Sequence, residues 1–378
     1  MSGSADTDAA VRPAADQSPA APPSGILDRL ARYQDLIVPV LALLIAFAIG
    51  AALIRMQGVN PWYAYETLLR SALGTERGLL RTLQKATPLV LAGLAVAVAL
   101  RVGLFNIGAQ GQLLWGAIAA AYVGTTLTGL PAALLIPSCM LAGMLAGALW
   151  GAIAGVLKAT RGVHEVISTI MLNSIAVGII DYLVSYPLKQ QGQPIPRTDA
   201  VAEAARMGNL GFVPIGFVVA VALAAAVAWV LQRTTLGFRF DTVGKNRHAA
   251  CYAGIRIPYV ISGAMFASGA LAGLGGAVET LGVVHRYEAG SSSGLGFDGI
   301  TIALLARSNP WATIPAALLV GVLRSGANGL QFDTGIEPEI VDVLLAITLL
   351  LVSLPILAGL VFGQRAKSGV ALTSGWGS

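Results

Sequence analysis

The sequence predicts an all-α polytopic membrane protein of about ten transmembrane helices, some of them broken or short, with a hint of an internal repeat. Three observations carry this. Hydrophobic residues fill 56% of the 378 positions and charged ones only 11%, where a soluble domain keeps about a quarter of its residues charged. Apolar runs such as VPVLALLIAFAIGAALI and VDVLLAITLLLVSLPILAGLVF approach or exceed the ~20 residues with which a helix crosses a bilayer. Few runs alternate with period two, which argues against a barrel of strands.

Apolar periodicity and its breakers place the spans near 36–55, 86–101, 109–128, 132–158, 165–187, 212–232, 259–282, 298–307, 310–327 and 338–362. The eighth, short at about ten residues and closed by RSNP, reads as a half-helix or re-entrant segment, which a bilayer accepts only when it is buried in protein. Residues 1–34, rich in Ala, Pro, Ser and Asp, read as a disordered cytoplasmic tail; 35–362 form the membrane domain, and 363–378 a second cytoplasmic tail. Between spans six and seven, Arg233, Arg239, Lys245, Arg247 and Arg256 mark a cytoplasmic loop over about 233–258. With ten spans both termini then lie in the cytoplasm. Arg70, Arg77, Arg81 and Lys85 run against that orientation, and the stretch PWYAYETLLRSALGTERGLLRTLQKATP that holds them reads as an amphipathic helix on the outer surface.

The net charge of +5 fits lysine and arginine in loops and at lipid headgroups rather than a nucleic-acid partner. Cys139 and Cys251 fall too far apart to pair, and three scattered histidines suggest no metal site. A P-loop, a zinc-protease helix and a nucleophile elbow are all missing from the sequence. Catalysis in this chain is not expected.

Polar residues inside the spans are more informative. GLFNIGAQGQLLWGAIAA, residues 103–120, places Asn106, Gln110 and Gln112 among glycines in an otherwise apolar setting. An unsatisfied amide facing lipid costs roughly 2–7 kcal/mol, so these three should face a pore or another helix. Gly108, Gln112 and Gly116 recur every four residues, a small-residue face suited to close helix approach. In the fifth span Glu165, Thr169, Asn173 and Asp181 fall on one stripe. Thr169 and Asn173 either line a water-filled path or join helices; Glu165 and Asp181, at the span's ends, read as facing solvent or headgroups. Phe105, Trp115, Tyr182 and Phe297 could stack on a substrate or simply pack. GLFNIGAQGQ and GLGFDGITIALL correspond loosely between the two halves, and broken helices at matching places point to a transport site.

In the loop RFDTVGKNRHAACYAGIRIP, Asn246 can cap a short helix that Gly254 ends, with Ala249, Ala250 and Ala253 as a compact face. Such a helix suits docking into a partner's groove; a linker lying on the membrane is the other reading.

TPLVLAGLAVAVALRVGLFNIGAQGQ, HEVISTIMLNSIA, GKNRHAACYAGI and GFDGITIALLARSNPWATIPAALLVGVLRSG together resemble the permeases of ABC importers for branched-chain amino acids and simple sugars, in particular the nucleoside-import branch. The resemblance covers roughly 36–362 and keeps the family's order of blocks. It implies a transport subunit in a bacterial inner membrane that pairs with a second, related permease chain, cytoplasmic ATP-binding subunits and an external substrate-binding lipoprotein. It implies no cofactor in this chain, with ATP and Mg on the partner ATPase. It assigns Asn246, Arg247, Ala249, Ala250, Ala253 and Gly254 to the coupling segment. It also makes Asn106, Gln110, Gln112, Thr169, Asn173, Phe105 and Trp115 candidates for the substrate path. Many relatives carry glutamate where this chain has Gln110, and a neutral amide there suits an uncharged nucleoside. A sugar or branched-chain amino acid importer is the alternative, and an ion-coupled secondary transporter, for which Glu279 is the nearest mid-span acid, a more distant one.

Overall fold

The computed structural model describes residues 34–290 and 294–353. The expected N-terminal tail up to residue 33, the C-terminal tail and the end of the tenth span lie outside them. Among the described residues the chain forms thirteen α-helices. The first half holds α1 (Gln34–Met56), α2 (Pro61–Leu73), α3 (Glu76–Arg101), α4 (Ala109–Thr126), α5 (Ala132–Arg161) and α6 (Glu165–Ser185). A long connection with a small antiparallel hairpin, β1 (Asn209–Leu210) and β2 (Val213–Pro214), leads to α7 (Ile215–Arg233), α8 (Thr235–Lys245) and α9 (Arg247–Tyr252). Then come α10 (Ile257–Glu279), continued by a π turn over Thr280–Val284, and α11 (Leu295–Leu305), α12 (Pro310–Thr334) and α13 (Glu339–Ser353). Six of these helices, α1, α3, α5, α6, α7 and α10 with its π turn, are long and apolar enough to cross a bilayer.

At the centre stands α3. It packs on α7, α10, α11 and α12, and 83% of its most apolar window is buried, against 28% for α5, α6 and α7. The cause is local sequence: from Leu89 to Ala99 the helix is apolar on every side and buried throughout, and a helix without a polar face belongs in the middle of a bundle. In contrast, α5 is two-faced. Leu134, Leu141, Leu145 and Leu149 point outwards, while Gly143, Gly147, Gly151 and Gly155 recur every four residues against α10.

Lipid is as apolar as leucine, so burying leucine between helices gains little, and close van der Waals contact between backbones has to hold the bundle together. The glycines permit that contact. A Cβ on Gly273 of α10 would overlap the carbonyl oxygen of Gly143, one on Gly269 that of Gly147, and one on Gly116 of α4 that of Gly273. On the other faces of α10, Gly276 meets the backbone of Leu113 in α4, and Gly275 meets Pro88 and Leu91 in α3. Gly116 thus uses the small-residue face expected for it.

Two boundaries differ from expectation. The surface helix foreseen after the first span is two elements, because Thr75 breaks it: its hydroxyl accepts a hydrogen bond from the Gly78 amide at 3.0 Å and caps α3. The membrane helix therefore starts at Glu76, ten residues before the expected 86. The remaining piece, α2, buries Ala64, Thr67, Leu68 and Ala72 and packs on α12, so protein rather than headgroups covers that side of it. The short eighth span is α11, 11 residues long, which at 1.5 Å per residue is about 16 Å and half of a ~30 Å hydrocarbon core. It turns at Arg307 and Ser308, both in left-handed backbone (φ 49° and 57°), and Asn309 then caps α12 by accepting from the Trp311 amide at 3.0 Å.

Gly273→Ala should disrupt the α4–α5–α10 crossing by overpacking, at about 1–3 kcal/mol, whereas Gly178→Ala on α6, where a Cβ meets nothing within 4 Å, should be neutral. Thermal unfolding of the two variants in detergent checks this: a lowered midpoint for the first alone is expected, and equal midpoints would contradict the packing account.

Candidate functional site

Beyond Arg101 the chain leaves α3, turns at Gly103 (φ 72°) and folds back into the bundle before α4 begins. The buried Asn106 lies on this returning segment. Its amide donates to Gln112 Oε1 at 2.9 Å and to Ser268 Oγ of α10 at 2.8 Å, and the Ser268 hydroxyl donates to the Ala95 carbonyl of α3 at 2.6 Å. Gln112 returns a bond from Nε2 to Asn106 Oδ1 at 3.2 Å. The two amides join the returning loop to α3, α4 and α10.

The next two amides solve a problem of helix ends. The first N–H groups of a helix have no partner within it, and inside a membrane no water replaces one. Both α4 and α11 begin inside the bundle after a glycine, Gly108 and Gly294, which offers no side-chain cap. Caps come from other helices. Asn173 of α6 accepts from the Gly111 amide at 2.8 Å through Oδ1 and donates to the Ile107 carbonyl at 2.9 Å through Nδ2. Gln110 of α4 accepts from the Gly296 amide in the first turn of α11 at 2.8 Å. Gly296 has to be glycine here, because a Cβ would overlap the Gln110 backbone. The segments that correspond between the two halves of the sequence therefore lie against each other, and each starts a helix capped from elsewhere.

Thr169 is buried, and its hydroxyl donates to the Glu165 carbonyl of its own helix at 2.7 Å. Glu165 corrects an expectation: it is buried rather than exposed, with Lys158 Nζ 2.9 Å from its Oε2, so a cation from α5 allows a carboxylate at the start of α6 to leave water. Asp181 is exposed as foreseen. Half-buried Trp115 packs its ring 5.1 Å from that of Trp150, and Phe105 packs beside Ala97 and Ala303. Tyr182 and Phe297 remain exposed. Phe297 sits in the first turn of α11, one residue beyond the amide that Gln110 caps.

Ionic contacts join further elements of the bundle, and sequence spacing gave no sign of them. Arg324 of α12 bonds both carboxylate oxygens of Asp298 in α11 and, at 3.0 Å, Asp342 Oδ1 in α13. Buried Glu279 has Lys85 Nζ at 3.8 Å. Arg101, at the end of α3, donates to both oxygens of Asp241 in α8, at 2.9 and 3.2 Å. Close by, a Cβ on Gly244 would overlap the Arg101 carbonyl.

In the loop after α7, Asn246 Oδ1 accepts from the Ala249 amide at 3.0 Å and caps α9, and Gly254 follows its end with φ 73°. The compact alanine face is divided. Ala250 is buried among Val243, Ile255 and Val260, whereas His248, Ala249, Tyr252, Ala253 and Gly254 are exposed and Arg247 is half-buried. In so short a helix one residue in four has to face the protein, and Ala250 takes that place. Of the three alanines expected on the compact face, Ala249 in α9 and Ala253 just past its end are open to solvent and Ala250 is not.

Residues 78–353 match the family described as branched-chain amino acid transport system / permease component. The chain belongs to that family. Near-full-length relatives sharpen the likeness. The permease is 38% identical to the guanosine ABC transporter permease protein NupP of Bacillus subtilis, over 89% of this chain and 99% of the relative. It is 36% identical to the nucleoside ABC transporter permease protein NupB of Lactococcus lactis, over 83% and 90%. To the glucose ABC transporter permease protein TsgB13 of Haloferax volcanii it is 34% identical, over 82% and 85%. A weaker likeness reaches a further permease protein in each of the first two organisms, NupQ at 27% and NupC at 25% identity. The chain is a multi-pass membrane permease.

Gln110→Leu should leave the Gly296 amide without its acceptor and cost about 1–3 kcal/mol, while Gln110→Glu keeps an acceptor oxygen in place. The unfolding midpoint in detergent, together with thiol labelling of an added Phe297→Cys, reads the difference. Lower stability and faster labelling are expected for the leucine variant, and indistinguishable variants would refute the capping role.

Proposed function

We propose that this permease is the membrane-spanning subunit of an ATP-driven importer for nucleosides, set in a bacterial inner membrane with both termini and α8–α9 in the cytoplasm. One observation carries the substrate class: the relatives matched along nearly their whole length are a guanosine and a nucleoside permease. The chemistry of the interior agrees with an uncharged cargo, since the polar groups gathered at the start of α4 are amides and a hydroxyl, Asn106, Gln110, Gln112, Asn173 and Ser268. The pairs NupP with NupQ and NupB with NupC support a second, different permease chain as partner. ATP-binding subunits holding ATP and Mg, and an external binding lipoprotein, complete the assembly.

Transport then proceeds by alternating access. Closure of the ATP-binding subunits moves α9 through its exposed face, and α8 moves with it. The Arg101–Asp241 pair and the contact of Gly244 with the Arg101 carbonyl pass that displacement to α3. The Asn106 bonds and the Gln110–Gly296 bond pass it on to the returning loop and to α11. Packed elements with few discrete arrangements move as units, so α11 and its exposed Phe297 shift with α3 and change which side of the path is open. The chain's own side chains bind and position; bond cleavage occurs on the ATP-binding subunits.

The likeness to TsgB13 favours a simple sugar as the second reading. Uptake into proteoliposomes holding the full assembly, with guanosine, glucose and leucine offered in turn, separates the substrate classes: saturable, ATP-dependent guanosine uptake is expected, and preference for glucose or leucine would overturn the nucleoside reading. Ala249→Glu and Ala253→Glu should each lower ATP-dependent uptake at least tenfold with the amount of folded permease unchanged. Ala250→Glu should instead reduce the folded permease itself, because it buries a charge. Normal uptake by the Ala249 and Ala253 variants would remove α9 from the coupling path.

A further inference from the structure

The strongest feature outside the proposed substrate path is a groove of about 810 Å³ between α8 and the start of α10, with Ala253 and Gly254 of the proposed coupling segment on its rim, within the ~300–1,000 Å³ of small-molecule sites. Two exposed arginines, Arg239 and Arg256, line it, and no acidic residue does. The imbalance is built in. From residue 204 to 278 the sequence contains one carboxylate, Asp241, and Arg101 engages both of its oxygens. Among the described residues neither Arg239 nor Arg256 has an ion-pair partner; Arg256 lies 6.0 Å from the ring centroid of the exposed Tyr259.

From Arg256 the groove runs along one stripe of α10, through Tyr259, Val260, Gly263 and Ala267. Arg256 to Ala267 is 11 residues, about 16 Å of helix at 1.5 Å each, the depth of one leaflet of a ~30 Å hydrocarbon core. Where glycines elsewhere on α10 are pressed against neighbouring backbones, Gly263 faces open space, with nothing within 4 Å of a Cβ. The shape is an open channel, apolar along a membrane-spanning helix and doubly cationic at its end.

We propose that this groove binds one anionic glycerophospholipid, its phosphate between Arg239 and Arg256 and an acyl chain along Gly263 and Ala267. Guanidinium groups suit a phosphate by forked hydrogen bonding, and basic residues beside a lipid surface favour anionic headgroups. A zwitterionic headgroup brings its own cation to the two arginines and is disfavoured. The bound lipid holds α8 against α10, beside the segment proposed to meet the ATP-binding subunits, and its binding does not depend on which substrate is carried.

Native mass spectrometry of the full chain in detergent, offered equal amounts of phosphatidylglycerol and phosphatidylcholine of the same chain length, tests the assignment. Retention of one phosphatidylglycerol at about a 30-fold preference is expected from two arginines. Arg239→Gln with Arg256→Gln should abolish the preference, and Lys at both positions should restore most of it. Gly263→Trp, which blocks the channel and keeps both arginines, should lower phosphatidylglycerol retention; excess inorganic phosphate should leave retention unchanged. A preference that survives the double glutamine variant overturns the proposal, as does displacement by inorganic phosphate. Release of ATP-binding subunits from the assembled transporter by that variant, with lipid preference intact, would assign the groove to a protein partner instead.

Discussion

Two helices of this protein begin against other helices after a glycine that offers no side-chain cap, and the arrangement of the interior follows from the need to satisfy their first amides. A helix that starts at a membrane surface can leave its first N–H groups to water. The starts of α4 and α11 lie within the bundle, and each follows a glycine that provides no cap. Asn173 and Gln110 supply the acceptors across helix boundaries, and Asn106 ties the loop before α4 to α3 and α10. Four helices and one half-helix are held in register by bonds whose loss would leave a buried group unsatisfied, at about 1–3 kcal/mol each.

Directed bonds of this kind need backbones that come close, and the glycines provide the approach. Gly116, Gly143 and Gly273 bring three helices to one point, and Gly296 brings α11 onto α4. The large apolar side chains do the complementary work: those of α5 and α6 cover the outside, where the solvent is lipid. A soluble protein places its leucines inside and its small residues wherever they fit; here the order is partly reversed, because apolar burial gains little when the solvent is itself apolar.

The same contacts form a continuous series through the bundle. From α9 the path crosses α8, the Arg101–Asp241 pair, α3, the amide cluster and α11. From α8 to α11 the contacts named are hydrogen bonds, an ion pair and close backbone approaches, whereas α9 meets α8 through the apolar packing of Ala250 with Val243. Arg324, bonded to Asp298 and Asp342, holds the far side of α11 against α12 and α13. The half-helix is clamped on both sides except at Phe297.

Much of this was legible in one dimension. Apolar runs of bilayer length, RSNP closing a span too short to cross, Asn246 and Gly254 bounding a six-residue helix, and three amides stranded among glycines are local signals with local causes. Residue chemistry alone required those amides to meet a partner. Which partner they meet was decided by the tertiary structure: Gln110 meets an amide 186 residues away, Asn106 a hydroxyl 162 away and Arg101 a carboxylate 140 away. No periodicity records such pairings, because each depends on how helices cross rather than on how one helix repeats. For the same reason the alanines of α9 looked alike until packing turned Ala250 inwards, and Glu165 looked solvated until Lys158 reached it. The sequence by itself determined that this chain crosses membranes as helices and that its buried polar groups need partners, since both follow from the cost of polar groups in hydrocarbon. The tertiary structure alone decided that the amides cap helix starts, because a cap from another helix exists only once the helices have packed.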